Sequence, residues 1–198
     1  TLGSRSVAIG QGALEAQNFT TATNTFNVAM GFHAGTSVTT GVQNTLIGGL
    51  AGDALTDSDF NTAIGSGALS SDTLGARSVA IGSDALAAQN LTTATNAYNV
   101  AVGVNSGASV STGVENTLIG GQTGDALTVG GRNTAVGRLA LGADTKGAYA
   151  VAIGYAALEA QNFTTATNNY NVAIGYEAGK SITTGIQNTL VGGAAGDD

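Results

Sequence analysis

Hydrophobic and polar residues follow a five-residue pattern that recurs along the whole chain. Each copy begins with a small or polar residue, continues with Val or Thr, then Ala or Leu, then an aliphatic residue, and ends with Gly. Because side chains alternate between the two faces of a strand and Gly favours a turn, each copy predicts a short β-strand that stops at its Gly. The eleven copies occupy residues 6–10, 27–31, 44–48, 61–65, 78–82, 99–103, 116–120, 133–137, 150–154, 171–175 and 188–192.

The alternation divides each copy into two faces. We predict that the second and fourth positions, where they are aliphatic, form the structural core: Val7, Ile9, Val28, Met30, Ile47, Ile64, Val79, Ile81, Val100, Val102, Ile119, Val136, Val151, Ile153, Val172, Ile174 and Val191. The third position is never polar, so we expect a second copy of the chain to cover it, although exposed Ala side chains are an alternative. This predicted inter-chain face comprises Ala8, Ala29, Leu46, Ala63, Ala80, Ala101, Leu118, Ala135, Ala152, Ala173 and Leu190.

The spacing of the copies reveals a longer repeat. Successive copies begin at steps of 21, 17, 17 and 17 along the chain, and the same series then starts again, which gives a super-repeat with a period of 72. Super-repeats start near residues 6, 78 and 150, and each long unit carries the letters AQN, an apolar residue and TTATN. We interpret residues 1–198 as a single repetitive segment and expect it to be a slice of a longer protein.

The short period of the repeat determines the predicted fold class. Helical repeats take roughly 33 residues or more, whereas one short strand per unit suits an all-β parallel β-solenoid. Eleven coils of 17 or 21 residues, stacked at about 4.8 Å per step, would form a rod on the order of 50 Å long. A single coil buries too little apolar surface to offset its lost conformational entropy, so neighbouring coils must complete one another.

Composition and charge narrow the function classes. The absence of Cys, with one His, argues against a disulfide framework and Cys/His zinc sites. Six basic residues against thirteen acidic ones argue against binding to nucleic acid, and no apolar run approaches the roughly 18 residues of a membrane span. Since no nucleophile–base pair recurs at a fixed spacing, we expect no enzymatic activity and no cofactor.

Two further patterns permit minor alternatives. Residues 48–55 and 120–127 partly match a calcium-binding nonapeptide, but these copies lie four coils apart, so we expect Asp53 and Asp125 to accept hydrogen bonds within turns instead. A row of hydroxyl residues could bind ice, but a second regular Thr file is missing. The row contains Thr39, Thr56, Thr73, Ser111, Thr128, Thr145 and Thr183.

The long units supply the candidate ligand-contact residues. Their large apolar side chains fall into two files, one of Phe19, Leu91 and Phe163 and one of Phe26, Tyr98 and Tyr170. These side chains either cover the core of the bulged coil or form an exposed ridge that contacts a host-surface glycan or protein receptor. Three Asn-X-Thr acceptor patterns, beginning at residues 18, 90 and 162, lie in the same segments.

The copies SVAIG, NVAIG and NTAIG, each followed within three residues by Ala, resemble the head repeats of trimeric autotransporter adhesins. The NTAIG type also resembles repeats of phage tail fibres, most clearly at residues 27–43 and 171–187. The resemblance implies a left-handed parallel β-roll assembled as a homotrimer, located outside the cell or on its surface, or on a virion tail. It implies a structural or adhesive role and no catalytic residues. Both the short and the long coils of this chain are longer than those typical of adhesin heads.

Overall fold

The computed structural model describes residues 2–197, and over that range the chain forms strands and turns but no helix. Eleven three-residue strands, one per coil, build a single parallel sheet, and six two-residue strands form three pairs, each of which joins a long unit to the residues just before it. The predicted all-β parallel β-solenoid of about eleven turns is therefore confirmed. The strands are β1 (Gly3–Ser4), β2 (Val7–Ile9), β3 (Thr23–Asn24), β4 (Val28–Met30), β5 (Thr45–Ile47), β6 (Thr62–Ile64), β7 (Gly75–Ala76), β8 (Val79–Ile81), β9 (Thr95–Asn96), β10 (Val100–Val102), β11 (Thr117–Ile119), β12 (Thr134–Val136), β13 (Gly147–Ala148), β14 (Val151–Ile153), β15 (Thr167–Asn168), β16 (Val172–Ile174) and β17 (Thr189–Val191).

Each strand pairs with its equivalent in the next coil, position for position. Ala101 of β10 pairs with Ala80 of β8 on one side and with Leu118 of β11 on the other. Strand-terminating glycines permit this close stacking, because Gly82 has φ of 130° and a Cβ there would lie 2.5 Å from the carbonyl oxygen of Gly103. Only Gly, which has no side chain, can combine this positive φ with such close packing against the next coil.

The predicted orientation of the strands is wrong. The third position of each copy, expected to face another chain, points into the coil: Ala29, Leu46, Ala63, Ala80, Ala101, Leu118, Ala135, Ala152 and Ala173 are fully buried, while Leu190 is half-buried and Ala8 exposed in the terminal coils. The aliphatic second and fourth positions, expected to form the core, are half-buried or exposed on the outside of the sheet. These are Val7, Ile9, Val28, Met30, Ile47, Ile64, Val79, Ile81, Val100, Val102, Ile119, Val136, Val151, Ile153, Val172, Ile174 and Val191. A three-residue strand contributes one side chain to one face and two to the other, and the narrow interior receives the single one.

The interior is only as wide as one Leu side chain, which explains the super-repeat. A Cβ on Gly107 would lie 2.7 Å from Cδ1 of Leu118, and one on Gly124 would lie 2.9 Å from Cδ2 of the same residue. Leu118 thus reaches across the coil and packs against two glycines. In two of the other three coils of a complete super-repeat, the strand carries Ala and the opposite wall carries a buried Leu, such as Leu86 or Leu141. Each large side chain therefore faces small residues, so the interior is filled without overlap.

Buried Asn side chains tie successive coils together at the corner that precedes each strand. The Asn116 carboxamide accepts the backbone N–H of Asn133 (3.1 Å) and donates to the Gly130 carbonyl (3.0 Å). Equivalent bonds recur at most of the other coils; for example, Asn44 donates to the Ser58 carbonyl and accepts the backbone N–H of Asn61. These corner amides are thereby hydrogen-bonded, which offsets their loss of hydration.

The long units accommodate their four additional residues through a separate buried network. Asp72 is fully buried, and its carboxylate accepts hydrogen bonds from Gln89 Nε2 (2.6 Å) and from the backbone N–H groups of Leu91 (2.9 Å) and Gly75 (3.1 Å). The Gln89 carbonyl in turn accepts a bond from Asn99 (2.8 Å). The same network recurs one super-repeat later around Asp144. In these two coils the corner position holds Ser78 or Ala150 instead of Asn, and the Asp–Gln network supplies hydrogen bonds there.

Candidate binding surfaces

The outer face of the eleven-stranded sheet is a continuous apolar surface. It consists of two parallel columns, one of Val and Thr at the second strand position and one of Ile, Val and Met at the fourth. In the middle of the sheet, Ile119 is 39% exposed and Ile153 is 36% exposed, although both lie in regular strands. At the spacings of a β-sheet this face measures about 50 Å by 10 Å, or roughly 500 Å². Patches of that size on a single chain commonly mark an interaction surface.

A second surface runs along the corner beside this sheet. Its residues stand directly before each five-residue copy, and we call them the corner column: Arg5, Phe26, Gln43, Phe60, Arg77, Tyr98, Glu115, Arg132, Tyr149, Tyr170 and Gln187. All eleven have positive φ, between 50° and 64°, in the left-handed region that side chains other than Gly seldom occupy. Ten of the eleven are exposed and Tyr149 is half-buried. The backbone turn therefore projects one large side chain per coil into solvent.

Neighbouring side chains of the corner column stack on one another. The guanidinium of Arg77 lies 4.5 Å from the ring centre of Phe60, and that of Arg132 lies 5.4 Å from the ring centre of Tyr149. Tyr149 and Tyr170 have ring centroids 5.2 Å apart. Arg132 also donates to Glu115 (2.7 Å) and to the Tyr149 hydroxyl (2.7 Å). Together these contacts hold the planar groups of the column in order along the solenoid axis.

A groove of about 320 Å³ lies beside the corner column in the second super-repeat. The groove is lined by Thr112, Val114, Val129, Gly131, Arg132, Ala148, Tyr149 and Asn168. One super-repeat earlier, Asp57 and Asp59 replace Val129 and Gly131. There the Asp59 carboxylate accepts the backbone N–H of Val42 (2.8 Å), and Asp57 accepts a bond from Thr40 (2.6 Å). The first super-repeat therefore has a larger side chain in place of Gly131 and two additional negative charges at the position of this groove.

The two predicted files of large apolar side chains separate in the structure. Phe19, Leu91 and Phe163 are buried, at 6–7% exposure, and cover the core of the long units. Phe26, Tyr98 and Tyr170 are exposed members of the corner column. The other eight members of the corner column were not predicted, although the residue directly before each copy is large in all eleven copies.

The hydroxyl row has a structural explanation within the chain. Thr128 donates to the carbonyl of Thr145 (2.9 Å), Thr56 to that of Thr73 (3.1 Å) and Ser111 to that of Thr128 (3.2 Å). These bonds run along the axis and connect each coil to the next. They account for the row without an external ligand.

Asp53 and Asp125 are partly buried carboxylates in equivalent turns. Desolvation by burial raises the pKa of each above its ordinary value of 3.8, and backbone hydrogen bonds offset part of that rise. Asp53 Oδ1 is buried without a hydrogen-bond partner among the described residues. Within the described residues 2–197, no three His, Asp or Glu side chains lie close enough together to hold a metal ion.

The double replacement Asp53→Asn and Asp125→Asn should stabilise the protein at pH 7. A carboxyl whose pKa is raised on folding binds protons more readily in the folded state, so its ionisation lowers the free energy of unfolding as pH rises from 3.8 through the raised pKa. Because the amide does not ionise, the advantage of the variant should shrink as pH falls through that window and vanish below it. Urea denaturation at several pH values measures this change, with the exposed Asp84→Asn as control. An advantage that grows in acid would contradict this prediction.

Within residues 2–197, the structure has no helix long and apolar enough to cross a membrane. No protein-family model, curated protein or solved structure matches the chain.

Proposed function

We propose that this chain is a segment of an extracellular adhesive fibre, in which three copies associate through the outer faces of their eleven-stranded sheets. The observation that supports this proposal is the apolar outer face itself. A folded solenoid that exposes two unbroken columns of aliphatic and Thr side chains would lose stability to solvent contact unless another surface covered them. A second copy offers the same face with the same spacing, so strands and side-chain columns match along the full length.

The shape of the chain favours closed assembly around a common axis. Each copy has one such face, and in a closed assembly of copies these faces can all be directed toward the common axis, where they cover one another. The low charge density supports close approach, since only 10% of residues are charged and none of them lies within the eleven strands of the outer face. The resemblance to trimeric adhesin heads indicates three copies and a left-handed coil. A cell-surface adhesin and a phage tail-fibre shaft would both use this assembly.

Light scattering of the purified chain tests the assembly. We expect a mass three times that of the 19.2 kDa chain. The variant Ile119→Glu should reduce the mass to that of one chain, because an unpaired charge in an apolar interface costs far more than the contact it replaces. Ile119 points outward, so the variant should retain the β-sheet signal in circular dichroism.

The matched control is Val129→Asp, which adds a charge of the same sign to an exposed aliphatic position away from the sheet. Asp57 occupies the equivalent position one super-repeat earlier, so the coil tolerates this side chain. Its mass should equal that of the parent chain. A parent chain that is monomeric, or an Ile119→Glu variant that keeps its mass, would contradict the proposed interface.

A further inference from the structure

We propose that the corner column and the groove beside it bind a neutral, linear, β-linked polysaccharide whose chain runs along the solenoid axis. This inference rests on the proposed adhesive function and identifies the class of molecule to which the fibre would adhere. The supporting observation is that the stacked planar side chains of the corner column lie next to a groove lined by Tyr149 and Arg132.

The corner column differs from the two other files of left-handed turn positions, since both of those include Gly, such as Gly35 in one and Gly67 in the other. Left-handed φ values also occur opposite the strands, where Leu14 and Leu86 alternate with glycines such as Gly35 and Gly107. There the side chain either packs inside the coil or is absent. The corner column contains no Gly, although Gly would relieve the conformational cost at every coil. Its large side chains point to solvent, so interior packing does not explain them.

All members of the column end in a planar group. Five are aromatic rings, three are guanidinium groups and three are carboxamides or a carboxylate. Aromatic and guanidinium planes stack against the apolar C–H faces of pyranose rings, while amide and carboxylate edges bond to hydroxyl groups. The step between coils, about 4.8 Å, is close to the length of one pyranose residue in an extended β-linked chain. One planar group would therefore meet roughly one sugar ring along the axis.

The charge pairing beside the groove favours a neutral ligand. The Arg132 guanidinium is paired with Glu115, with Nε and Oε2 2.7 Å apart. Arg77 donates to the side chain of Asn96 (3.1 Å) and stacks on Phe60. Arg132 lines the groove, so an anionic sugar bound there would have to compete with Glu115 for it. A neutral sugar stacks on the same planes without that competition.

The groove supplies a site where a sugar ring would be enclosed. Val114 and Val129 form apolar walls, and Thr112 and Asn168 provide hydroxyl and amide groups around them. A volume of about 320 Å³ lies at the lower end of small-molecule sites in proteins. In the first super-repeat, Asp57 and Asp59 bond to the neighbouring coil at this place. We therefore assign the tightest contact to the second super-repeat.

Titration of the assembled chain with cellohexaose, chitohexaose and a uronic-acid hexamer tests the inference. Calorimetry measures affinity, and tyrosine fluorescence reports the site directly, because the chain has no Trp and three of its five Tyr residues belong to the corner column. We expect one or both neutral hexasaccharides to bind and the uronic-acid hexamer to bind more weakly.

Two tyrosine pairs provide matched variants. Tyr149→Ala with Tyr170→Ala removes a pair with ring centroids 5.2 Å apart on the corner column, and should weaken binding by about tenfold or more, since each lost stacking plane removes a favourable contact. Tyr155→Ala with Tyr176→Ala removes a stacked pair, with centroids 5.4 Å apart, from outside the column and should leave affinity unchanged. Ala occupies left-handed turn positions at Ala156 and Ala194, so the backbone tolerates the first replacement.

The variant Gly131→Asp tests the groove separately from the stacking planes. Asp59 occupies the equivalent position, so the coil accommodates this side chain after a shift of the Val114 carbonyl oxygen, from which a Cβ would otherwise lie 2.7 Å. We expect the filled groove to weaken hexasaccharide binding while the circular dichroism signal persists.

Binding of none of the three hexamers, tighter binding of the uronic-acid hexamer, or equal losses from the two tyrosine double variants would overturn this inference. The mass of the chain in solution is measured independently of these titrations. A trimer that binds no hexasaccharide would refute the polysaccharide site and leave the proposed fibre assembly intact. A monomer would refute the assembly regardless of sugar binding.

Discussion

Replacement of Asp72 by Ala should lower the free energy of unfolding by about 3–5 kcal/mol, because it leaves two buried backbone N–H groups and one amide with fewer partners. The carboxylate of Asp72 accepts bonds from Gly75, Leu91 and Gln89, and its complete burial keeps bulk water from replacing it. The Gln89 amide retains one bond, to Ser78 at 3.0 Å, so the loss falls mainly on the two backbone groups. Urea denaturation followed by circular dichroism measures the change.

The control for this prediction is Asp84→Ala in the next coil. Asp84 is exposed and accepts a side-chain bond only from Ser83, and its turn position is held by Ala at Ala156 and Ala194, so this variant should stay within about 0.5 kcal/mol of the parent. Asp144→Ala should match Asp72→Ala, and the two losses should add because the sites lie four coils apart. Equal stabilities of Asp72→Ala and Asp84→Ala would show that the buried network contributes nothing.

Replacement of Leu118 by Ala should cost about 2–5 kcal/mol, since it leaves a cavity in an interior only one Leu side chain wide. Gly124→Ala should also destabilise, because its Cβ would lie 2.9 Å from Cδ2 of Leu118 and its φ is 55°. In the double variant the new Cβ enters space that Leu118 has vacated. The double variant should therefore lose at least about 1 kcal/mol less than the sum of the single losses.

The control for the packing prediction is Gly121→Ala, one of the few glycines with room around it. Its Cβ would meet only the Val104 carbonyl oxygen, at 3.9 Å, so its effect should be small both alone and combined with Leu118→Ala. Additive losses in the Leu118–Gly124 pair would contradict the interpretation that Leu and Gly are matched across the coil. Denaturant titration of the four variants of the cycle decides between these outcomes.

The sequence predicted the solenoid fold correctly but not which face of each strand lies in its interior. Alternation along a strand establishes that Val100 and Val102 lie opposite Ala101, but it does not say which side is the interior. The width of the coil decides this, since Leu118 spans it and meets Gly107 and Gly124. Both the Leu and the Gly pattern are visible in the sequence, yet their contact across the coil requires the three-dimensional path of the chain.

The binding surfaces were also only partly visible in the sequence. Phe26, Tyr98 and Tyr170 stand out as a repeated aromatic file, whereas Phe60, Arg77 and Arg132 do not, because their residue types differ from coil to coil. No local rule places Phe, Tyr or Arg at positive φ, a conformation that ordinarily indicates Gly or Asn. Stacking of the whole solenoid imposes that conformation and brings these side chains into one column.

The sequence by itself determined the all-β class, the parallel coils and their number, because regularly spaced Gly-terminated strands fix where each turn of the chain must end. The tertiary structure alone decided which side of each strand is buried, which of the two predicted files is exposed, and where a groove opens. These features depend on distances across the coil between residues that are far apart in sequence, and periodicity along the chain carries no information about that width.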